Sequence, residues 1–350
     1  MSLGVRVDAA NPGLQTHDAQ RVEVPSLDRV GGSPVLLPSY WFATPGSAAT
    51  VGAAQVPGGP GGPTAQPADP ADHARAPAAA QEVRPAAIAH GPHPALVLLH
   101  GCGGVFGRGP QLANRYTELA SRLAALGVQA LVVDSLTPRG ERELCTQRLG
   151  QRQTTQLQRR RDALGALQWL AAQPGVDRSR IGLLGWSNGG STVLAATNLA
   201  HAEVARAPVK PSLAVAFYPG CASERDRGYE PVAPLLMLLG EADDWTPAAP
   251  CKELAASVRS EARPQWVAFE GAHHGFDGTA PVRLRADVPN GAAGQGGVHV
   301  GGHALARALA AQRLQDFLRA QWKLSPPVVP AAQPPASRSA TEPQPPRTGS

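Results

Sequence analysis

The sequence predicts an α/β fold with a mostly parallel central sheet and helices on both faces. Two observations lead to this prediction. Short apolar runs such as ALVLLH at 95–100 end at glycine or proline, which is typical of buried strands, and longer stretches with leucine at helical spacing lie between them. Strands separated by helices form a parallel sheet, because the crossover helices cover its two faces.

The predicted elements alternate along the chain. RVEVP and PVLLPSYWFAT come first and predict an antiparallel strand pair at one edge of the sheet. Apolar runs predict six further strands: 95–100, 130–135, 181–184, 213–219, 234–240 and 266–271. Helices are predicted at 116–126, 154–172 and 307–322, and another runs from the turn after residue 184 through Ala200. The RRR run at 159–161 is interpreted as a solvated helix face.

Composition divides the 350 residues into packed and unpacked parts. Segments 46–92 and 324–350 are crowded with alanine, glycine and proline, and they contain few large apolar residues. Because such segments bury too little surface to offset their ordering entropy, we predict a disordered insertion and a disordered tail. The other parts are an N-terminal arm at 1–20, the edge strands at 21–45 and the main domain at 93–323.

Charge and cysteine content limit the partners and the compartment. The 32 basic and 27 acidic residues leave a scattered net charge of +5, too weak to indicate nucleic-acid binding. No apolar run reaches the roughly 18 residues of a membrane helix, and residues 1–20 lack the pattern of a secretory signal. Four cysteines in a chain of this length are not a disulfide framework. We therefore expect a soluble cytoplasmic protein with reduced thiols; Cys221 and Cys251 could pair, although free buried thiols are the simpler interpretation.

The strongest chemical signal is the segment GWSNGG, which fits the pattern G-x-S-x-G. It lies between an apolar strand and a run compatible with a helix, the context in which this turn carries a nucleophile. The turn strains the backbone, so its neighbours must be small, as Gly185 and Gly189 are. Ser187 is therefore the candidate nucleophile, and the N–H of Asn188 at the helix start is a candidate oxyanion donor. A structural turn with an unreactive serine is the alternative.

Two further polar clusters follow predicted strands. The segment GEADDWTP contains Asp243 and Asp244, either of which could hold a histidine ring, and Asp243 is favoured because it is nearer the strand. The segment GAHHGFD offers His273 and His274 as the general base. The alternatives are a solvated acidic loop and histidines that bind a metal or form a polar turn. Adjacent histidines seldom ligate one metal well, however, and no Cys/His spacing indicates zinc.

A glycine-rich segment, HGCGG, follows the first predicted parallel strand. Its glycines let a substrate approach the backbone, and the N–H of Cys102 could be a second oxyanion donor. Phosphate binding is the alternative, but the chain contains neither G-x-x-x-x-G-K-[ST] nor a convincing dinucleotide pattern. The candidate serine, aspartate and histidine occur in that order, each after a strand, which is the order found in α/β-hydrolases.

Taken together, these segments resemble the dienelactone hydrolase family of the α/β-hydrolases. The resemblance covers about residues 93–323 and the edge strands, and it is carried by HGCGG, DSLTPRG, IGLLGWSNGG, FYPGC, GEADDWTPAAPC and GAHHGFD. It implies the α/β-hydrolase fold and places Ser187 at the nucleophile, Asp243 at the acid and His274 at the base. The acid of the family lies four residues before a proline, here Pro247, and its histidine precedes a small residue and a phenylalanine.

Three departures separate this chain from the dienelactone hydrolases proper. Those enzymes use a cysteine nucleophile where this chain has Ser187, and a glutamate where it has Gly101. They also have an arginine soon after the catalytic histidine, where this chain has Asp277, Gly278 and Thr279. The resemblance therefore implies a relative with a serine nucleophile that acts on another ester.

Several side chains near these segments are candidates for substrate binding. Arg139 in DSLTPRG could bind an acidic group, although a salt-bridged loop arginine is the favoured interpretation. Trp186, Tyr218 and Trp245 could line an acyl pocket or could belong to the core. The glycine-rich stretch 287–302 is interpreted as either a lid or a plain loop.

The sequence therefore predicts a serine hydrolase that cleaves a carboxylic ester, with a small-molecule ester or lactone as substrate and no nucleic-acid or membrane partner. Ser187 would attack while His274 takes its proton and Asp243 holds the histidine ring. The amides of Cys102 and Asn188 would bind the oxyanion. No metal or organic cofactor is expected. The alternatives are a lactone or thioester hydrolase with the same residues, and a catalytically silent hydrolase fold that serves as a binding protein; the oligomeric state stays open.

Overall fold

A computed structural model describes residues 19–43, 91–107, 109–259, 261–292 and 296–324. The predicted insertion at 46–92 and tail at 324–350 lie almost entirely outside these ranges, as does nearly all of the predicted arm at 1–20. Among the described residues, no helix combines the length and apolar character needed to cross a membrane.

One mixed sheet of eight strands organises the described chain, in the order β1-β2-β4-β3-β5-β6-β7-β8. Its strands are β1 (Gln20–Val30), β2 (Ser33–Phe42), β3 (His93–Leu99), β4 (Gln129–Val133), β5 (Val176–Trp186), β6 (Leu213–Phe217), β7 (Leu235–Gly240) and β8 (Gln265–Phe269). β1 and β2 form an antiparallel pair at one edge, β2 is antiparallel to β4, and the strands from β4 to β8 in that order are parallel. The predicted α/β class with a mostly parallel sheet is confirmed.

Helices cover both faces of the sheet, so side chains on both sides of β4, β6 and β7 are buried, as are those of residues 94–99 in β3. In β3, Val97 and Leu99 belong to one core and Leu96 and Leu98 to the other, as alternation along a strand requires. One face carries α2 (Gln156–Ala171), α3 (Asn188–Thr197) and α6 (Ala248–Ser257). The opposite face carries α1 (Asn114–Ala124) and α7 (Ala304–Trp322).

The shorter elements were missed from the sequence. They are α4 (Ala202–Arg206), α5 (Ala222–Arg227), α6, β9 (Arg283–Arg285) and β10 (Val298–Val300). Four of them have only three to six residues, too few to show a period, and α6 begins after Pro247 without a clear apolar stripe. β9 and β10 pair with each other as an antiparallel hairpin between β8 and α7.

The interpretation of residues 159–161 as a solvated face is wrong. Arg159 is 1% exposed and Arg160 is 9% exposed, because this side of α2 lies against other parts of the chain. Arg160 and Arg161 both bond to Glu203 of α4, and Arg161 also reaches Asp28 of β1. Acidic partners that are distant in the sequence therefore pair with Arg160 and Arg161.

The expectation of reduced thiols is also wrong. Cys102 is bonded to Cys145, and Cys221 is bonded to Cys251, so all four cysteines of the chain are paired. The second bridge is the pairing considered from the sequence. The first was not anticipated, because 43 residues separate its cysteines and only the adjacency of β3 and β4 brings them together.

Candidate active site

Three side chains that are far apart in the sequence form one hydrogen-bonded line at the carboxyl edge of the sheet. Ser187 Oγ lies 2.8 Å from His274 Nε2, and His274 Nδ1 lies 2.8 Å from Asp243 Oδ2. The three residues follow β5, β8 and β7, which are parallel and therefore end at the same edge. All three are buried, so bulk water competes little with these bonds.

Ser187 occupies a strained turn between β5 and α3. Its φ of 53° lies in the region that favours glycine, and few other residues adopt it. Glycine on both sides makes the turn possible: a Cβ on Gly185 would lie 2.2 Å from the carbonyl oxygen of Gly189, and a Cβ on Gly189 would lie 2.1 Å from that of Leu99. The tight packing fixes the hydroxyl at the start of α3, where the helix dipole favours negative charge.

Asp243 is held by the loop that follows it. Its Oδ1 accepts the backbone N–H groups of Trp245 and Thr246 at 2.9 and 2.8 Å. Thr246 Oγ1 lies 3.1 Å from Asp243 Oδ2 and 3.0 Å from His274 Nδ1, and it donates to the carbonyl of Tyr218. The carboxylate therefore has a fixed orientation with Oδ2 directed at the imidazole.

The His274 ring lies between two aromatic side chains. Its centroid is 4.7 Å from that of Tyr218 and 4.6 Å from that of Trp245. The backbone of His274 is held from the hairpin side, because it forms a parallel bridge with Val300 and its carbonyl accepts the N–H of Gly301. These contacts restrict the ring to the plane in which it reaches both Ser187 and Asp243.

The segments that carry the candidate oxyanion donors are joined by Arg159. Its guanidinium donates to the Asn188 side chain and, at 2.7 Å, to the carbonyl of His100. Burial lowers the pKa of Arg159 to about 10, which leaves it charged at neutral pH. One arginine thus connects the turn after β3, which contains Cys102, to the first turn of α3.

A cavity of about 430 Å³ opens beside Ser187. Cys102, Asn188 and Trp245 line it, together with Thr246. The other lining residues are Leu149, Arg152, Thr154, Thr155, Gln156, Ser191, Gly220, Cys221, Ala222, Ser223, Pro247, Pro250 and Asn290. The volume suits a small organic substrate. Asn290, from the stretch interpreted as a lid or a loop, bonds to Gln147 and Leu149 and lines the cavity.

Arg139 does not lie on this cavity. Its guanidinium donates to Asp162 and Asp28 at 2.9 Å and to the carbonyl of Ser135, so the salt-bridged loop arginine is what the structure contains. The physical reason is that α2 and β1 bring two carboxylates to the loop after β4. These contacts occupy guanidinium N–H groups that would otherwise be able to bind an acidic group of a substrate.

Trp186 and the Tyr218 side chain also lie away from the cavity. Trp186 Nε1 donates to Asp277 Oδ2 at 2.9 Å, and the Tyr218 hydroxyl donates to Asp277 Oδ1 at 2.6 Å. Burial raises the pKa of Tyr218 well above its usual value, so the phenol stays neutral. Of the three aromatic candidates, Trp245 lines the cavity, whereas the other two belong to the core beneath the site.

Sequence reasoning missed three residues of the site. Thr246 lies in a segment that was singled out, but its contact with the imidazole depends on the fold of the loop. Arg159 was assigned to solvent, and Arg152, in the loop before α2, carried no signal of its own. Among the described residues that line the cavity, Arg152 is the one with a charged side chain.

Comparison with known proteins identifies the family of the chain. The model of the dienelactone hydrolase family matches residues 80–321. The chain belongs to the dienelactone hydrolase family. It is therefore a member of a hydrolase family with the α/β-hydrolase fold, and no curated protein matches it significantly.

Solved structures share the fold of this family member at low identity. A dienelactone hydrolase-like promiscuous phosphotriesterase from metagenomic libraries is 18% identical, with a TM-score of 0.56 over 87% of this chain and 99% of that one. Esterase 2 of Thermogutta terrifontis, phosphorylated by paraoxon, is 17% identical, with a TM-score of 0.52 over 91% of this chain and 100% of that one. Both similarities concern the fold.

Proposed function

We propose that this protein is a serine hydrolase that cleaves carboxylic esters of small molecules through an acyl-enzyme. The observation that carries the proposal is the continuous line from Ser187 Oγ through the His274 imidazole to Asp243, with two contacts of 2.8 Å. Family membership supports hydrolysis, and structural neighbours that are an esterase and a phosphotriesterase support ester chemistry.

The first step is attack by Ser187 on the ester carbonyl. His274 Nε2 accepts the serine proton, and the ring becomes an imidazolium whose Nδ1–H is directed at Asp243. The alcohol leaves when the same proton passes from Nε2 to its oxygen. The acyl group then remains on Ser187 as an ester.

The negatively charged oxygen of the tetrahedral intermediate needs hydrogen-bond donors. We assign this role to the backbone N–H groups of Asn188 and Cys102. Asn188 begins α3, where the amides of the first turn have no partner within the helix. Cys102 lines the same cavity as Ser187. Donors that are fixed before the reaction stabilise the developing charge without reorganisation.

Deacylation repeats the sequence with water. His274 removes a proton from a water molecule that attacks the acyl carbon, and the collapse of the second intermediate returns the proton to Ser187. A lactone or a thioester would react at the same groups. Hydrolysis rates for an ester, a lactone and a thioester with one acyl chain distinguish these alternatives.

The decisive experiment combines labelling with kinetics on the full chain. A fluorophosphonate should add once to wild-type protein, as read by intact mass, and should not add to Ser187→Ala. The same variant should lose at least about a thousandfold in kcat with a short p-nitrophenyl ester. Ser179→Ala, a surface serine that contacts Asp177, is the matched control and should behave as wild type. An unlabelled wild-type protein would favour the catalytically silent alternative.

The compartment also follows from the cysteines. A cytoplasmic location was expected on the assumption of reduced thiols, whereas two disulfides favour a compartment where such bonds persist. We therefore infer an oxidising compartment. Alkylation of protein isolated under native conditions should modify no cysteine before reduction and all four afterwards.

A further inference from the structure

A second cluster of polar side chains lies beside the candidate active site. Asp244, His273 and His299 each offer one ligand atom, and these atoms all lie within 4.8 Å of one another. Asp244 follows β7, His273 follows β8, and His299 lies in β10. Three segments that are distant in the sequence therefore bring two imidazoles and a carboxylate to one point.

Not every polar atom of the cluster has a hydrogen-bond partner among the described residues. His299 Nδ1 lies 2.7 Å from Asp244 Oδ2, and the N–H of His299 donates to Asp244 Oδ1 at 2.9 Å. The ring centroids of His273 and His299 are 5.4 Å apart. His273 Nδ1 is buried and has no hydrogen-bond partner among the described residues. A buried ring nitrogen without a partner is costly, and a cation would supply one.

We propose that Asp244, His273 and His299 bind a divalent transition-metal ion of the zinc type. Two imidazoles and one carboxylate are a common three-ligand set for such ions, with water as the fourth ligand. Asp244 and His299 are 36% and 48% exposed in their side chains, so an ion and its water can enter from solvent. The four cysteines are paired and do not compete as thiolates.

The ion would hold loops of the candidate active site in place and would take no part in the reaction itself. Asp244 adjoins Asp243, and His273 adjoins His274, so the metal would fix the two loops that carry the acid and the base. The third ligand belongs to the hairpin whose Val300 and Gly301 already hold the His274 backbone. Binding therefore stabilises the hairpin against both loops, and none of the ligands touches Ser187.

The test is a zinc titration of the untagged full chain after treatment with a chelator. Calorimetry should give one saturable site per chain, and zinc should raise the melting temperature. His273→Ala and His299→Ala should each weaken binding by more than about tenfold and abolish the rise in melting temperature. Asp287→Asn, an exposed acid of the same segment that contacts Arg285, is the matched control and should keep both responses.

Cobalt provides a second measurement that does not depend on stability. Co²⁺ in this three-ligand set should give visible absorption bands that His299→Ala loses, provided that the variant keeps the wild-type circular dichroism. If a variant fails to fold, His299→Asn takes its place. Wild-type protein without saturable binding, or binding that survives both histidine substitutions, would overturn the proposal and leave a hydrogen bond between Asp244 and His299.

Discussion

Cys145 is covalently bonded to Cys102, the residue whose amide we propose as an oxyanion donor. The N–H of Leu144 also donates to the Cys102 carbonyl at 2.7 Å. Leu136 and Leu144 pack around the bridge and bury it. The loop after β4 thus fixes the position of the loop after β3 at the point where the intermediate would bind.

Breaking this bridge should reduce both stability and turnover. Cys145→Ser should lower the free energy of unfolding by about 2–4 kcal/mol, because the unfolded chain regains the freedom of a long loop. It should also lower kcat more than it raises KM, since an oxyanion donor acts mainly in the transition state. Urea unfolding and steady-state kinetics with a p-nitrophenyl ester measure the two effects.

Cys251→Ser is the control for this prediction, because it removes the other bridge. It should lower stability to a similar extent but reduce kcat less. An equal loss of kcat in the two variants would show that the Cys102 position has no special role in turnover.

The fold class was predictable because local patterns dominate it. Each parallel strand is a short apolar run, and α1, α2 and α7 show leucines at helical spacing, so the prediction needed no long-range information. The order of serine, aspartate and histidine was likewise visible, because each follows a strand. Parallel strands then bring the three residues to one edge by topology alone.

What the sequence could not predict depends on partners that are distant in the chain. Arg159 looked like a solvated residue until α2 was placed against α3 and the turn after β3. Arg139 was interpreted as a salt-bridged arginine, but its partners Asp28 and Asp162 could not be named from the sequence. His299 carried no signal, since nothing local relates it to the histidines that follow β8.

Arg159 should position the oxyanion donors without touching substrate. Arg159→Met keeps the length of the side chain but removes its hydrogen bonds to Asn188 and to the His100 carbonyl. We expect kcat to fall by about 10- to 100-fold with little change in KM, because small displacements of pre-organised groups are costly. Arg160→Met, which changes the next residue and affects only contacts with Glu203, should leave kcat unchanged. Steady-state kinetics would contradict the prediction if KM alone rose.

His100 should make stability depend on pH. Its Nε2 accepts the N–H of Ser135 and its Nδ1 donates to the Gly101 carbonyl, so the folded ring is neutral. Burial and the nearby Arg159 hold the pKa of His100 well below its usual value. The unfolded chain therefore takes up a proton below about pH 6.5 that the folded chain does not, and unfolding becomes easier by up to about 1.4 kcal/mol per pH unit.

The measurement for this prediction is urea unfolding between neutral and mildly acidic pH. Wild-type protein should lose stability as the pH falls below the usual histidine pKa. His100→Asn, although less stable at neutral pH, should show a shallower decline across the same range. Parallel curves for the two proteins would mean that His100 does not contribute to the dependence.

Arg152 should determine a preference for anionic substrates. Among the described residues that line the cavity, Arg152 is the one with a charged side chain. Its Nε is buried and has no hydrogen-bond partner among the described residues. Burial lowers the pKa of Arg152, although Glu143 and Glu141 lie nearby. A substrate carboxylate would supply the missing partner. Arg152→Gln should raise KM by about tenfold or more for an ester with a free carboxylate in its acyl part, since 1.4 kcal/mol corresponds to a factor of about ten. The neutral ester of the same length should be unaffected, and Arg148→Gln, an exposed arginine of the same loop, should change neither value. Equal changes for both esters would indicate a general loss of cavity shape instead of a lost charge.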